Sequence, residues 1–390
     1  MIADTNLFRE YIDQAFEKHP ELFPTNISQG YHLHGFTKPS VKIKGMVQIR
    51  IKTVIDGEQY TIAPSFILPY MRGKIGAVEN ALFLMKYDVP FSALTHVFGR
   101  NDMYWYRLHN SWGRNSIVGT TIKSEDKLPK NLAADEKHSK LKKDKVYLPI
   151  TVGQNCILGS EVSKTADGKD LEAGYGVFVA EAKNISEDYT PETINTDGWA
   201  GTNTAWKALY SNVVIILCFL HSYLKIRKTC RKTKETLNMI KEKVWDAYLA
   251  NNKRSFSQRL RRLREWAQTF EFKADSTKSK ILKLCSNVNK FSIAYDHVNC
   301  LRTSNMADRL MRFISESLVN RQYFHSNIES ATLWTRSRAI LHNFTPICPR
   351  RRKKMETGLV CPASRLNGFS YSDNWLENLV VSTSMRGYRQ

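Results

Sequence analysis

Apolar and polar residues change period several times along this chain, and each change marks an element. Residues 5–18 (TNLFREYIDQAFEK) carry apolar side chains at helical spacing, and the HPELFP that follows ends the run. Residues 46–63 alternate around Asp56-Gly57, the signature of a β-hairpin with a tight turn. Residues 75–113 return to helical spacing in three short pieces. Pro90 opens the second and Gly99 stops it. Asn101 or Asp102 caps the third. Two short helices joined by a glycine-containing turn predict a helix-turn-helix. It would present Arg100, Tyr104, Arg107, His109 and Arg114 to a DNA major groove. The competing reading is a plain helical subdomain with Trp105 and Leu108 in its core.

From residue 128 the pattern changes again. NLAADEKH reads as a strand ending at an acidic pair, and KVYLPITVG and NCILGSEVSK read as two more. DLEAGYGVFVAEAKN reads as a helix, TINTD as a fourth strand, GTNTAWKALY as a helix and NVVIILCFL as a fifth strand. The order β-β-β-α-β-α-β predicts an α/β fold with a mixed sheet, the order of the ribonuclease H-like fold. Residues 222–300 then read as an all-helical insertion, and 301–345 as amphipathic helices with Ser304 or Asn305 as a cap. The expected division is 1–72 (helix and hairpin), 73–120 (helix-turn-helix), 128–221 (first part of the core), 222–300 (insertion), 301–345 (C-terminal helices of the core) and 346–390 (tail).

Charge sharpens this picture. The 390 residues carry a formal net charge of +21, which points to a polyanionic partner. The insertion concentrates it. Lys225, Arg227, Lys228, Arg231, Lys232, Lys234, Lys241, Lys243, Lys253, Arg254, Arg259, Arg261, Arg262 and Arg264 face only Glu235, Glu242, Asp246 and Glu265 over the same stretch. That excess exceeds what solubility needs and predicts contact with a DNA backbone, with Lys225, Arg227, Arg254, Arg259, Arg261 and Arg262 as candidates. The run Arg350 to Lys354 is a further phosphate contact or a solvated linker. The longest apolar run, Val213 to Leu220, is strand-sized, so no membrane span is expected. Without a signal-peptide pattern, a cytoplasmic, nucleoid-associated protein is the simplest expectation. The seven cysteines are scattered without a C-x-x-C pair, which argues against a disulfide framework or zinc ribbon.

Three carboxylates have the placement that phosphoryl chemistry needs. Asp135 is expected at the end of the first strand, Asp197 at the end of the fourth and Asp308 on the first helix after the insertion. Neighbouring first and fourth strands would bring Asp135 and Asp197 together. Hard oxygen donors select Mg²⁺ or Mn²⁺, and two such ions can bind the attacking and leaving oxygens of an in-line phosphodiester displacement. Glu136 is the alternative to Asp135. Each acid also has an ordinary reading, as a turn residue, a loop residue or an ion-pair partner.

The stretches ADEKH, NTDGWAGT, CFLHSYLKIR, FSQRLRRLREWA and RTSNMADRLMR resemble prokaryotic insertion-sequence transposases of the DDE class, closest to the Mutator-like group with its large helical insertion. The resemblance runs from about residue 75 to the C-terminus. It implies a ribonuclease H-like core, two divalent ions, cleavage at terminal inverted repeats of double-stranded DNA and strand transfer into target DNA. It also implies a homodimer or higher assembly acting on two ends. Asp135 and Asp197 match the first two acids, and Cys218 and His221 match a C-x-x-H motif beside the active site. The family has Glu as third acid. Asp308 stands at that place here, with Glu316 two turns on as the alternative. Trp245 or Trp266 in the insertion would stack on a flipped base or simply pack in the helical core. A catalytically inactive, transposase-derived DNA-binding regulator and a ribonuclease H-like nuclease are the competing functions.

Overall fold

The structure is a computed structural model that describes residues 4–40, 46–68, 75–230, 233–352 and 359–384. Along the chain run α1 (Thr5–Lys18), β1 (Tyr31–Phe36), β2 (Ile49–Thr53), β3 (Gln59–Thr61), α2 (Glu79–Met85), α3 (Phe91–Phe98), α4 (Asp102–Trp112) and α5 (Ile117–Thr121). Then come β4 (Asn131–Leu141), β5 (Asp144–Gly153), β6 (Cys156–Ser160), α6 (Gly168–Lys183), β7 (Thr193–Thr196), α7 (Ala200–Leu209) and β8 (Val214–Leu217). Helices complete the chain: α8 (Phe219–Thr229), α9 (Lys234–Tyr248), α10 (Lys253–Thr269), α11 (Asp275–Ser286), α12 (Val288–Ser292), α13 (Asn305–Asn320), α14 (Ile328–Phe344), α15 (Pro349–Arg352), α16 (Pro362–Asn367) and α17 (Trp375–Ser382). They form two compact units, one of residues 1–128, 181–187 and 329–390, the other of 129–180 and 188–328.

In the first unit a three-stranded antiparallel sheet, order β1-β2-β3, packs under α1. Asp4 caps α1 through its side chain, and Phe8 and Ile12, one turn apart, meet Ile49 and Ile51 of the central strand. The expected hairpin is there. Gly57 takes φ +69° in its turn, and the Asp56 carboxylate accepts from the Thr53 hydroxyl and the Glu58 N–H. The third strand of the sheet, β1, is an addition to the expected elements. Its side chains are largely exposed, so it lacks the alternation that betrays β2.

The three short helices of 75–113 also form, the first beginning as a turn of 3-10 helix before α2. Gly99 (φ +72°) and Arg100 (φ +68°) make the tight connection between α3 and α4, and Asn101 caps α4 by accepting from the Tyr104 N–H at 2.8 Å. The C-terminal half of α4 is buried against α14: Tyr106 hydroxyl meets Ser330 at 2.6 Å, and a Cβ on Gly113 would overlap the Leu333 carbonyl. Two arginines of α14 lie buried in this unit. Arg336 reaches the Glu181 carboxylate at 2.5 Å and the carbonyls of Gly113 and Asn115 at 2.9 Å. Arg338 reaches the Met85 carbonyl at 2.7 Å and Asp88 at 3.2 Å. Such charges are tolerated inside only with this degree of pairing. Residues 329–345 therefore belong with the N-terminal helices rather than with the second unit's sheet.

The second unit holds a five-stranded mixed sheet of order β6-β5-β4-β7-β8. β6, β5 and β4 are antiparallel neighbours, whereas β4, β7 and β8 run parallel. Two expectations are corrected here. β4 does not end at the acidic pair. It continues to Leu141, paired with β5 beyond the point where β7 stops, so Asp135 sits mid-strand opposite Ile150. The last strand stops at Leu217 rather than Leu220, because Cys218 already caps α8.

Helices α8–α12 form the predicted helical insertion with a core of its own. Phe219, Tyr223 and Ile226 of α8 pack with Ile240 and Val244 of α9, Phe256, Leu260 and Leu263 of α10, and Ile281 and Leu284 of α11. Trp245 and Trp266 are partly buried against this core. Trp245 touches Tyr223 and Tyr248, and Trp266 touches Phe270 and Phe272 with the Lys243 ammonium 5.2 Å from its ring centre. Packing accounts for both indoles.

Candidate functional site

The register of β4 and β7 builds the site. Asn131 pairs with Thr193 and Ala133 with Asn195, where the pairing ends; Asp135 lies two residues further along β4, and Asp197 follows the last residue of β7. Strand alternation sends Asp135 and Glu136 to opposite faces. Glu136 faces α6 and α7, where it accepts from the Tyr175 hydroxyl at 2.5 Å and the Thr202 hydroxyl at 2.6 Å. That leaves Asp135 for the face covered by α13, which packs across β4 and β5.

Asp308, in the first turn of α13, meets Asp135 there. Asp135, His221 and Asp308 each offer a ligand atom, and these atoms all lie within 4.8 Å of one another. His221 Nε2 stands 3.8 Å from Asp308 Oδ1. Asp197 lies outside this group of three. Its Oδ1 accepts from the Trp199 N–H at 2.8 Å, in the turn that opens α7. Its charge still reaches Asp135. Gly198 completes that turn at φ +88°, and a Cβ there would stand 2.5 Å from Leu217 Cδ1. Glu316 is not in the group; it is exposed and 4.0 Å from Arg312.

The C-x-x-H motif has a structural explanation. Cys218 is the N-cap of α8, and its Sγ accepts from the backbone N–H of His221 at 3.5 Å. The cap fixes His221 in the first turn, beside the acids. The Arg302 carbonyl accepts from the Phe219 N–H at 3.2 Å and ties the segment before α13 to the same helix start.

Ser304 follows, and it is the residue that sequence reasoning undervalued. It stands at the N-cap position of α13, but its hydroxyl caps nothing. The Oγ lies 3.2 Å from Cys218 Sγ, 3.1 Å from His221 Nδ1 and 3.2 Å from Asp308 Oδ2, and its N–H donates to Cys218 Sγ at 3.2 Å. The signal for it was the serine four residues before Asp308, on the same helix face.

Electrostatics make this a strained cluster of charge. Burial, then the charges of Glu136 and Asp197, push the Asp135 carboxyl up to about 7. The Cys218 thiol, with the carboxylates of Asp308 and Asp135, raises His221 to about 9 against the cost of its burial. His221 is thus an imidazolium at neutral pH, and its Nδ1–H donates to Ser304. Burial pushes the Cys218 thiol up, but hydrogen bonds from His221 and Ser304 outweigh it and hold the thiol below its ordinary value. A divalent cation fits this donor set: Asp135 and Asp308 would hold it through oxygen, with His221 as a nitrogen donor once deprotonated. Desolvated carboxylates that repel one another gain most from such an ion.

The candidate DNA contacts divide into exposed and engaged. In the first unit Arg100, Arg107 and Arg114 are exposed, and Arg100 lies 5.3 Å from the ring centre of half-buried Tyr104. His109 is buried, its Nδ1 3.0 Å from the Asn110 side chain, so it is withdrawn from the expected groove-reading set. In the insertion Lys225, Arg227, Arg254 and Arg262 are exposed. Arg259 is tied to Asp246 at 2.9 Å, and Arg261 pairs with Glu265 at 3.6 Å. Arg231, Lys232, Lys353 and Lys354 lie outside the described residues, as do the side chains of Arg351 and Arg352.

No model of a protein family matches this chain, and no curated protein matches it either. Among the described residues, no helix is long and apolar enough to cross a membrane.

Proposed function

We propose that this chain is a DDE-class DNA transposase, which cuts phosphodiester bonds at terminal inverted repeats and joins the freed strand to target DNA. The observation that carries the reading is the meeting of acids from distant parts of the sequence. Asp135 and Asp197 each lie two residues past the paired stretch of two parallel strands, and α13 brings Asp308 against Asp135. The strand order β6-β5-β4-β7-β8, with its antiparallel and parallel halves, supports a ribonuclease H-like core. Two Mg²⁺ or Mn²⁺ ions bound among these acids would activate water or a 3′-hydroxyl and stabilise the departing oxygen.

The chain's own groups prepare that chemistry. His221, as an imidazolium, offsets the charge of the acids and is placed to donate to a phosphate oxygen entering among them. Ser304 orients the imidazole from behind. The tight α3–α4 connection with exposed Arg100, Arg107 and Arg114 supports a helix-turn-helix that reads duplex DNA. A homodimer or higher assembly would bring two element ends together.

The test is nicking of duplex DNA that carries the inverted repeats flanking the gene, with Mg²⁺ and with Mn²⁺. Product should depend on the ion and vanish in Asp197→Ala. Equal product from wild type and this variant would refute the carboxylate assignment. Asp197 stands outside the close group and the third acid is a short aspartate, which favours an inactive, DNA-binding regulator as the second reading. Salt-dependent binding to the repeats without any cleavage would select it. Cleavage indifferent to the repeats would select a nuclease.

A further inference from the structure

A cleft beside Asp197 carries charge that the acid cluster does not use. It measures about 530 Å³ and lies between the β7–α7 turn with edge strand β8 on one side and helices α8, α11 and α12 on the other. Asp197 and Asn203 line the first wall, and Lys225, Lys280, Lys283 and Lys290 line the second. Lys280 is half-buried and the other three are exposed. Lys280 Nζ reaches the Lys225 carbonyl at 3.4 Å, and among the described residues no carboxylate is ion-paired with any of the four.

Four ammonium groups around one concavity repel one another, and low-dielectric walls strengthen the repulsion. A helix face that serves solubility mixes acids with its bases, as α10 does with Arg261 and Glu265. The stretch from Ser276 to Phe291 contains no acid at all. Lys280 and Lys283 are three residues apart on one face of α11, and Lys290 of α12 joins them at the cleft. This is a wall built for repeated negative charge. The volume admits roughly one or two nucleotides and no duplex. Asn203 accepts from the Thr196 hydroxyl at 2.9 Å through Oδ1, which leaves its amide Nδ2 to donate to an entering oxygen.

We infer that this cleft is a single-strand subsite, gripping the phosphates of the DNA strand next to the one that is cut, unpaired from its complement. The inference rests on the DNA-cleaving reading for its location, since Asp197 lines the cleft and is one of the acids that reading uses. The test is fluorescence anisotropy with a labelled oligothymidine of about 12 nucleotides, titrated in EDTA over a salt series. The triple variant Lys280→Gln, Lys283→Gln, Lys290→Gln should weaken binding at least about tenfold at about 0.1 M salt and flatten the log–log salt slope by about 2. Circular dichroism should show wild-type folding, and duplex of equal length should lose less than about threefold. Unchanged affinity and slope, or an equal loss on duplex, would overturn the inference. Asp197→Asn separates it from the reading it rests on: nicking should disappear while oligothymidine binding is kept or tightened. If wild type nicks no DNA but the slope still falls in the triple variant, the transposase reading fails and the cleft stands. If wild type nicks DNA and the triple variant keeps the wild-type slope, the cleft fails and the transposase reading stands.

Discussion

Cys218 and Cys361 begin α8 and α16 in the same way. Both are buried, both have extended backbone, and each Sγ accepts from the N–H three residues on, His221 at 3.5 Å and Ser364 at 3.3 Å. At Cys361 the third residue closes a local box: Ser364 Oγ accepts back from the Cys361 N–H at 3.2 Å, and burial pushes the thiol up. At Cys218 the second partner is Ser304, 86 residues away, and His221 is left to face the acids. The spacing of a cysteine and a polar residue three positions later is therefore a helix cap first. Tertiary structure decides whether the third residue also does chemistry, by what it sets beside it.

The sharpest way to break this contrast is through activity. Asp135→Asn should lower single-turnover nicking by roughly a thousandfold or more, whereas Cys361→Ala, corrected for folded fraction, should stay within about twofold. Comparable losses would mean that the α8 start is no more functional than the α16 start.

Next in size is the response to pH and metal. Asp135 is raised to about 7 from 3.8, so its contribution to stability is present at low pH and lost as pH rises through about 7. His221 is raised to about 9 from 6.5, so its contribution is full below pH 6.5 and lost as pH rises through about 9. The ion-free protein should thus melt at progressively lower temperature from about pH 5 to pH 9. Mn²⁺ should raise the melting temperature by several degrees at about pH 8 and by less at about pH 5.5, where protons compete for the carboxylates. Equal shifts at both pH values would remove Asp135 from the ion's ligands.

A smaller effect is readable by NMR titration of His221. Cys218→Ala should lower its pKa more than Asp308→Asn does, because the thiol is its largest support, and Cys361→Ala should leave it alone. The reverse order would show that the acids, and not the cap, hold the charge. Smallest is the cap itself: Cys361→Ser should change stability by about 1 kcal/mol or less, since serine caps at least as well, as followed by denaturant unfolding.

Much of this was legible from the residues. The strand pattern from 131 to 217 gave the element order, and the first and fourth strands expected to be neighbours are paired, in parallel, up to two residues before Asp135 and Asp197. What escaped was set by distant partners. His109 lies on a face of α4 that a helical wheel leaves open, yet the α14 segment covers that face and the Trp334 ring lies 6.1 Å from the imidazole. Ser304 looked like a cap because its position is one, and only the fold brings Cys218 and His221 to its hydroxyl. The lysines of α11 and α12 fell outside the densest basic run, which ends at Arg264, and their meaning comes from curvature that a charge count does not see. Asp135 was expected at a strand end because acids interrupt apolar alternation. The ribbon of β4 and β5 carries the strand past it.

Gly198 has no side chain, no charge and no part in any chemistry described above. Its left-handed backbone nonetheless disfavours other residues in the turn that aims Asp197, and any Cβ there would have to displace the Leu217 side chain. In a saturation library selected for activity, position 198 should therefore tolerate few replacements. A ranking of sites by tolerance alone would count this glycine among the reactive groups, when it is the hinge pin on which one of them is hung.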